Sequence, residues 1–93
     1  MAKDVVILKL VTGDEIVCRM DATFEKGDDI YLDMPLQIQT VTEGGKVGFG
    51  MMPWIMAAED QGFTISENAI ITMGTPKHGL ESQYLSAVTG LSL

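Results

Sequence analysis

The chain has 93 residues, with six Lys plus Arg against 13 Asp plus Glu and a formal net charge of −7 at pH 7. This length suits a single compact domain over residues 1–93. The acidic balance disfavours broad contact with nucleic-acid phosphates, because Lys and Arg normally supply most of that affinity. No apolar run approaches the ~18–20 residues of a membrane helix, and the first four residues lack the apolar block of a secretory signal. We therefore expect a cytoplasmic protein that does not contact a membrane.

Two β-strands are predicted at the start of the chain. Residues 5–11 are rich in β-branched and aliphatic side chains, which favour strands. Gly13 marks a tight turn, because glycine takes a positive φ without steric cost. Residues 15–24 alternate apolar and polar side chains, which is typical of a strand with one buried face. The buried face is expected to carry Ile16, Cys18, Met20 and Ala22, and the other face Glu15, Val17, Arg19, Asp21 and Thr23.

Three further strands are predicted. The third covers residues 30–41 and must bend, bulge or lie at an edge at Pro35, which cannot donate a ladder hydrogen bond. In the fourth segment, residues 48–65, a strand over residues 48–56 is followed by a polar excursion at residues 59–62 and a short strand at residues 63–65. The last strand covers residues 69–73 and stops at the following glycine and proline.

The C-terminal part of the chain changes periodicity. Over residues 78–89 the apolar positions recur at helical spacing, which predicts one short amphipathic helix. Five strands in a meander with one helix tend to curl into a small, partly open barrel. Both Sm-like and OB-type barrels fit this pattern, and the pattern does not choose between them.

Several stretches resemble the motifs of the Sm-like family. Residues 8–20 (LKLVTGDEIVCRM) resemble the opening half of the first Sm motif. Residues 24–33 (FEKGDDIYLD) align without gaps on its Phe-Asp-x-x-Met-Asn-Leu-x-Leu-Asp stretch, and residues 65–71 (ISENAII) resemble the second motif. Four shorter pieces resemble Sm-like proteins of marine tailed phages: residues 11–15, 53–54, 63–65 and 83–84.

This resemblance implies an all-β, strongly bent five-stranded antiparallel barrel. The short helix lies at the C-terminus here, whereas the typical family member carries one before the first strand. The resemblance also implies a homo-oligomeric ring of about five to seven subunits, in which the fourth strand of one protomer pairs with the fifth strand of the next. If the chain is phage-encoded, the expected location is the host cytoplasm.

The resemblance also implies an RNA pocket, built in the family from an Asn amide, a stacking side chain before it and an Arg. The equivalent residues here are Asp29, Asp28 and Ser66. An ionised Asp accepts hydrogen bonds but does not donate them, Asp28 offers no stacking platform, and Ser66 has no guanidinium group. The candidate pocket consists of Glu25, Asp28, Asp29, Ser66 and Asn68, and we expect it not to read uridine as the family does.

The acidic residues of this region have two interpretations. Repeated around a ring, Glu25, Asp28, Asp29 and Glu67 would form a negative collar that could bind a divalent cation or a basic partner. The simpler interpretation, which we favour, is that they are solvated turn residues.

The apolar run at residues 51–56 (MMPWIM) predicts a subunit contact. A continuous apolar run in an antiparallel sheet implies that both faces are covered, and a chain of this size has little with which to cover the second. Met and aromatic side chains are also enriched in interface cores. The predicted interface consists of Met52, Trp54 and Met56 on one edge and Ala69, Ile70 and Ile71 on the other.

The sequence offers no catalytic constellation. Cys18 is the only cysteine, lies on an apolar face and has no evident His partner, which disfavours a nucleophilic role. His78 is alone in a predicted turn. We expect no enzyme activity, cofactor or metal, and predict an interaction or scaffold ring that binds an unknown protein. The alternative is an RNA-binding ring with altered, non-uridine specificity; an OB-type barrel that binds single strands ranks third.

Overall fold

The computed structural model describes residues 4–21, 27 and 29–91, so Glu25 and Asp28 of the candidate pocket lie outside the described residues. The elements follow in chain order: β1 (Asp4–Leu10), β2 (Glu15–Met20), β3 (Asp29–Glu43), β4 (Lys46–Pro53), β5 (Gly62–Ser66), a 3₁₀ turn (Glu67–Ala69), β6 (Ile70–Gly74) and α1 (His78–Leu91).

The predicted fold class is confirmed: the strands form one bent antiparallel sheet, which is not closed, and a single short helix follows. The strand order is β4-β3-β2-β1-β6, and β5 also pairs with β3. The two strands predicted within the fourth segment are β4 and β5, but β4 ends at Pro53 and not at residue 56, because residues 54–61 leave the sheet as a loop. The predicted last strand begins one residue later, since Ala69 belongs to the 3₁₀ turn.

The long strand β3 bends in its middle. Its first part pairs with β5 and its last part pairs with β4. Between these parts the register against β2 shifts, since Val17 pairs with Leu36 and Arg19 pairs with Asp33. Met34, with a φ of 53°, occupies the shift, and an extra residue of this kind bends the bulged strand. The irregularity predicted at Pro35 is thus confirmed.

Two apolar cores lie on opposite faces of the sheet. The inner core is formed by alternate residues of β1 and β2 and by the first part of β3: Val6, Leu8, Leu10, Ile16, Cys18, Met20, Ile30 and Leu32. The outer core lies between the sheet and α1: Val17, Met34, Leu36, Tyr84 and Val88.

The helix corrects one expectation from the sequence. Val17 was expected on an exposed face of the second strand, but it is fully buried with Tyr84 and Val88. The run at residues 51–56, predicted to contact a neighbouring subunit, is partly buried within the chain. Met51 packs on the outer core and Trp54 on the inner core, whereas Met56 is exposed. The chain therefore covers much of its second sheet face by itself.

Candidate functional site

The candidate pocket residues that the structure describes converge at one end of the sheet. Asp29 at the start of β3 and Ser66 at the end of β5 are paired across the two strands. The Ser66 hydroxyl accepts a hydrogen bond of 3.2 Å from the backbone N–H of Asn68 and caps the 3₁₀ turn. Serine is favoured at such a position because its oxygen satisfies an otherwise unpaired backbone donor. The local sequence therefore sets the backbone of this site.

A second contact ties the β2–β3 connection to the same turn. The backbone N–H of Gly27 donates to the Glu67 carboxylate at 2.8 Å, across 40 positions of sequence. A bond from a backbone N–H to a carboxylate is stronger than one between neutral groups. Glu67 was predicted only as a member of an acidic collar, and no local pattern indicates this bond, because its partner is remote in sequence.

The chemistry of the site is acidic and polar. Asp29, Ser66 and Asn68 are exposed, and Glu67 is half-buried. Sequence analysis did not single out Tyr31, whose half-exposed ring lies two residues after Asp29, on the same face of β3. An exposed ring next to a carboxylate can stack on a base, but these side chains supply no cation for a phosphate.

The predicted interface residues are divided among four segments: β4, the loop after it, the 3₁₀ turn and β6. Met52 lies on β4, and Ile70 and Ile71 lie on β6. Trp54 and Met56, expected on the fourth strand, lie in the loop after β4, because the chain leaves the sheet at Pro53.

The other predicted edge residue also differs from expectation. Ala69 is in the 3₁₀ turn, and its carbonyl accepts a hydrogen bond from the Val11 N–H at 2.9 Å. Of the β6 pair, Ile70 packs against the inner core while Ile71 is exposed.

Exposed apolar side chains lie on both edges of the sheet. β6 forms one edge, and β4 and β5 lie along the other. Large apolar side chains exposed on β4 and β6 are Val47, Phe49, Ile71 and Met73. A sheet edge of this composition is a template for pairing with another chain.

The thiol and the imidazole of the chain have different surroundings. Cys18 is fully buried in the inner core, and burial, with a smaller contribution from the Asp33 charge, raises its pKa to about 12. A thiol with such a pKa is almost wholly protonated at neutral pH and is a poor nucleophile. His78, predicted in a turn, is exposed and begins α1. Within the described part of the chain, no three His, Cys, Asp or Glu side chains form a group that could hold a metal ion.

Comparison with known proteins agrees with this architecture. The family model of the Sm_like domain matches residues 7–85, which is most of the chain. A search of curated proteins returned no match. Among residues 4–21, 27 and 29–91, no helix combines the length and apolar character needed to cross a membrane. With a bent antiparallel sheet and a family match over nearly its whole length, the chain belongs to the Sm-like family.

Proposed function

We propose that this protein is a non-enzymatic, ring-forming Sm-like protein that serves as an interaction or scaffold module. Sm-like proteins generally form rings and often bind RNA. The observation that carries the proposal is the open sheet. Its two edges are formed by different strands, and both edges expose apolar side chains. Two unlike edges pair head to tail, and such contacts close into a ring when the rotation between neighbours allows it.

The proposed contact joins β6 of one protomer to the β4 and β5 edge of the next. Ile71 is 61% exposed although it is a large aliphatic residue on an edge strand. In the proposed contact, Ile71 would be covered together with Phe49 of the neighbouring protomer. Each Å² of apolar surface buried there would stabilise the contact by roughly 25 cal/mol. The edge N–H and C=O groups would gain partners at the same time. The ring would contain about five to seven copies and act in the cytoplasm, of the host cell if the chain is phage-encoded.

The size of the assembly tests this proposal. Light scattering coupled to size exclusion at micromolar concentration should give about five to seven times the chain mass of 10.1 kDa. Ile71→Lys should give a monomer, because an edge lysine blocks strand pairing. Val11→Lys is the matched control, since Val11 is also 61% exposed but lies in the turn after β1. A wild-type protein that elutes as a monomer would contradict the proposal.

The charge of the chain supports a protein partner over a nucleic acid. Each protomer carries a formal net charge of −7, and a ring multiplies it. Long-range repulsion then lowers the association rate with polyanions and raises it with basic partners. The same negative charge favours a ring that acts as a scaffold by binding a basic protein.

RNA binding with altered specificity is the second candidate. It is favoured by one observation: Asp29 and Ser66, the equivalents of family pocket residues, are paired across β3 and β5. Oligo(U), oligo(A) and mixed oligonucleotides at about 50 mM salt test it, because phosphate contacts are strong there. We expect no binding by the wild-type ring. Saturable binding that Asp29→Asn strengthens, by restoring a donor, would favour the RNA role instead.

A further inference from the structure

The loop between β4 and β5 encloses a cavity that the family comparison does not explain. The loop, residues 54–61, lies over the bend of β3 and leaves a space of about 200 Å³. The lining is mostly apolar and also includes two acidic residues and one amide: Met34, Pro35, Leu36, Pro53, Trp54, Ile55, Met56, Ala58, Glu59, Asp60, Gln61 and Phe63.

Backbone hydrogen bonds hold both ends of this loop on β3. The N–H of Trp54 donates to the Pro35 carbonyl at 3.2 Å, and the N–H of Met34 donates to the Gln61 carbonyl at 2.7 Å. The Trp54 ring meets the Phe63 ring edge to face, with centroids 6.3 Å apart. These contacts form the cavity before any ligand arrives, which lowers the entropic cost of binding.

The size and rim of the cavity restrict its occupant. A space of this size is smaller than a typical small-molecule site of roughly 300–1,000 Å³, and it has room for one large side chain. Ile55 and Met56 are exposed although they line the cavity. The nearby Glu59 and Asp60 side chains are exposed carboxylates.

We propose that this cavity docks a partner protein through one large apolar side chain flanked by Lys or Arg. The apolar side chain would fill the space between Trp54 and the bend of β3, and the cations would lie against Glu59 and Asp60. A basic partner fits better than a second copy, because each chain carries a net charge of −7 and only six Lys and Arg. One protomer builds the whole cavity. Because Trp54 and Met56 also belong to the predicted subunit interface, peptide binding is measured at a protein concentration at which light scattering shows that the assembly is complete.

Intrinsic fluorescence measures occupancy of the cavity directly, because Trp54 is the only tryptophan in the chain. The probe is a short synthetic peptide without aromatic residues, in which one leucine stands between lysines. Titration into the full-length protein should shift the Trp54 emission saturably. Replacing the leucine by serine should weaken binding by more than about tenfold, since burial of the anchor is lost. Replacing the lysines by glutamates should abolish binding.

Two variants with the same change in net charge test whether the charge acts at the cavity or through the whole chain. Glu59→Lys should weaken peptide binding about fivefold, as expected for reversing one exposed charge at a rim. Glu43→Lys changes the net charge equally on the exposed β3–β4 hairpin and should bind as the wild type does. Equal affinities for the two variants, or equal affinities for the leucine and serine peptides, would overturn the proposal. Trp54 emission that depends on protein concentration and not on peptide would also overturn it, because a second copy would then fill the cavity.

Discussion

Removal of the Tyr84 hydroxyl tests how α1 is joined to the sheet. Tyr84 is fully buried, and its hydroxyl donates to the Met34 carbonyl at 2.8 Å and lies 3.2 Å from the Asp33 carbonyl. Both carbonyls belong to the bend of β3, where the φ of Met34 is 53°. The bend therefore places the carbonyl oxygens of Asp33 and Met34 beside α1, and the Tyr84 hydroxyl contacts both. Tyr84→Phe removes the oxygen and keeps the ring.

The magnitude follows from the buried acceptors. A typical hydrogen bond contributes about 1 kcal/mol net, and a buried polar group left without a partner costs about 1–3 kcal/mol. Because the ring stays in the outer core, no cavity larger than one oxygen appears. We therefore expect Tyr84→Phe to lower the free energy of unfolding by about 1–3 kcal/mol. Tyr84→Ala should cost about 3–5 kcal/mol, since it also empties the core.

Urea denaturation followed by circular dichroism measures this loss. All variants are compared at one protein concentration, because assembly would couple stability to concentration. The m-value should stay unchanged, which shows that the exposed surface on unfolding is the same. Thr89→Val is the control, since it removes an exposed hydroxyl that also donates to a backbone carbonyl, that of Leu85, at 2.7 Å, and it should change the free energy by less than about 0.5 kcal/mol. The reasoning fails if Tyr84→Phe is as stable as the wild type, or if Thr89→Val loses as much.

Two further predictions concern the cores. Val88→Asp places a carboxylate in the buried outer core and should lower the free energy of unfolding by more than about 3 kcal/mol. Leu85→Asp is the control, because Leu85 lies on an exposed side of α1, and it should change this free energy by less than about 0.5 kcal/mol. Similar losses in the two variants would show that α1 does not pack as described. For Cys18, the folded-state pKa of about 12 exceeds the usual 9.0, so the native state holds the proton more tightly. The contribution of the Cys18 thiol to the free energy of unfolding is therefore fully present below pH 9. It decreases by up to about 1.4 kcal/mol for each pH unit between pH 9 and 12, because the folded state still holds the proton that the unfolded state has lost. Thermal unfolding across this range should show a flatter pH dependence for Cys18→Ala; equal slopes would contradict burial of the thiol.

Short-range signals in the sequence predicted most of the elements. Alternation along β2, the glycine turn before it, and helical spacing after Pro76 each act within a few residues, so the chain shows them directly. Pro35 indicated the irregularity of β3 for the same reason, because a missing N–H is a local property. Motif order also suggested that Asp29 and Ser66 are equivalent to family pocket residues, and this equivalence stays a prediction.

Long-range packing accounts for what the sequence did not predict. Nothing near Val17 indicates that α1, more than sixty residues later, covers it. The end of β4 also differs from the prediction, since the strand predicted over residues 48–56 ends at Pro53, where the chain leaves the sheet. The bond between Gly27 and Glu67 joins two connections that only the folded sheet brings together.

The sequence by itself determined the fold class and the acidic character. The tertiary structure decided that the chain covers much of its own second sheet face and that the loop after Pro53 borders a half-open cavity lined by Trp54. The physical reason is that composition and periodicity are properties of neighbouring residues. Burial and enclosure depend instead on which distant elements meet across the sheet.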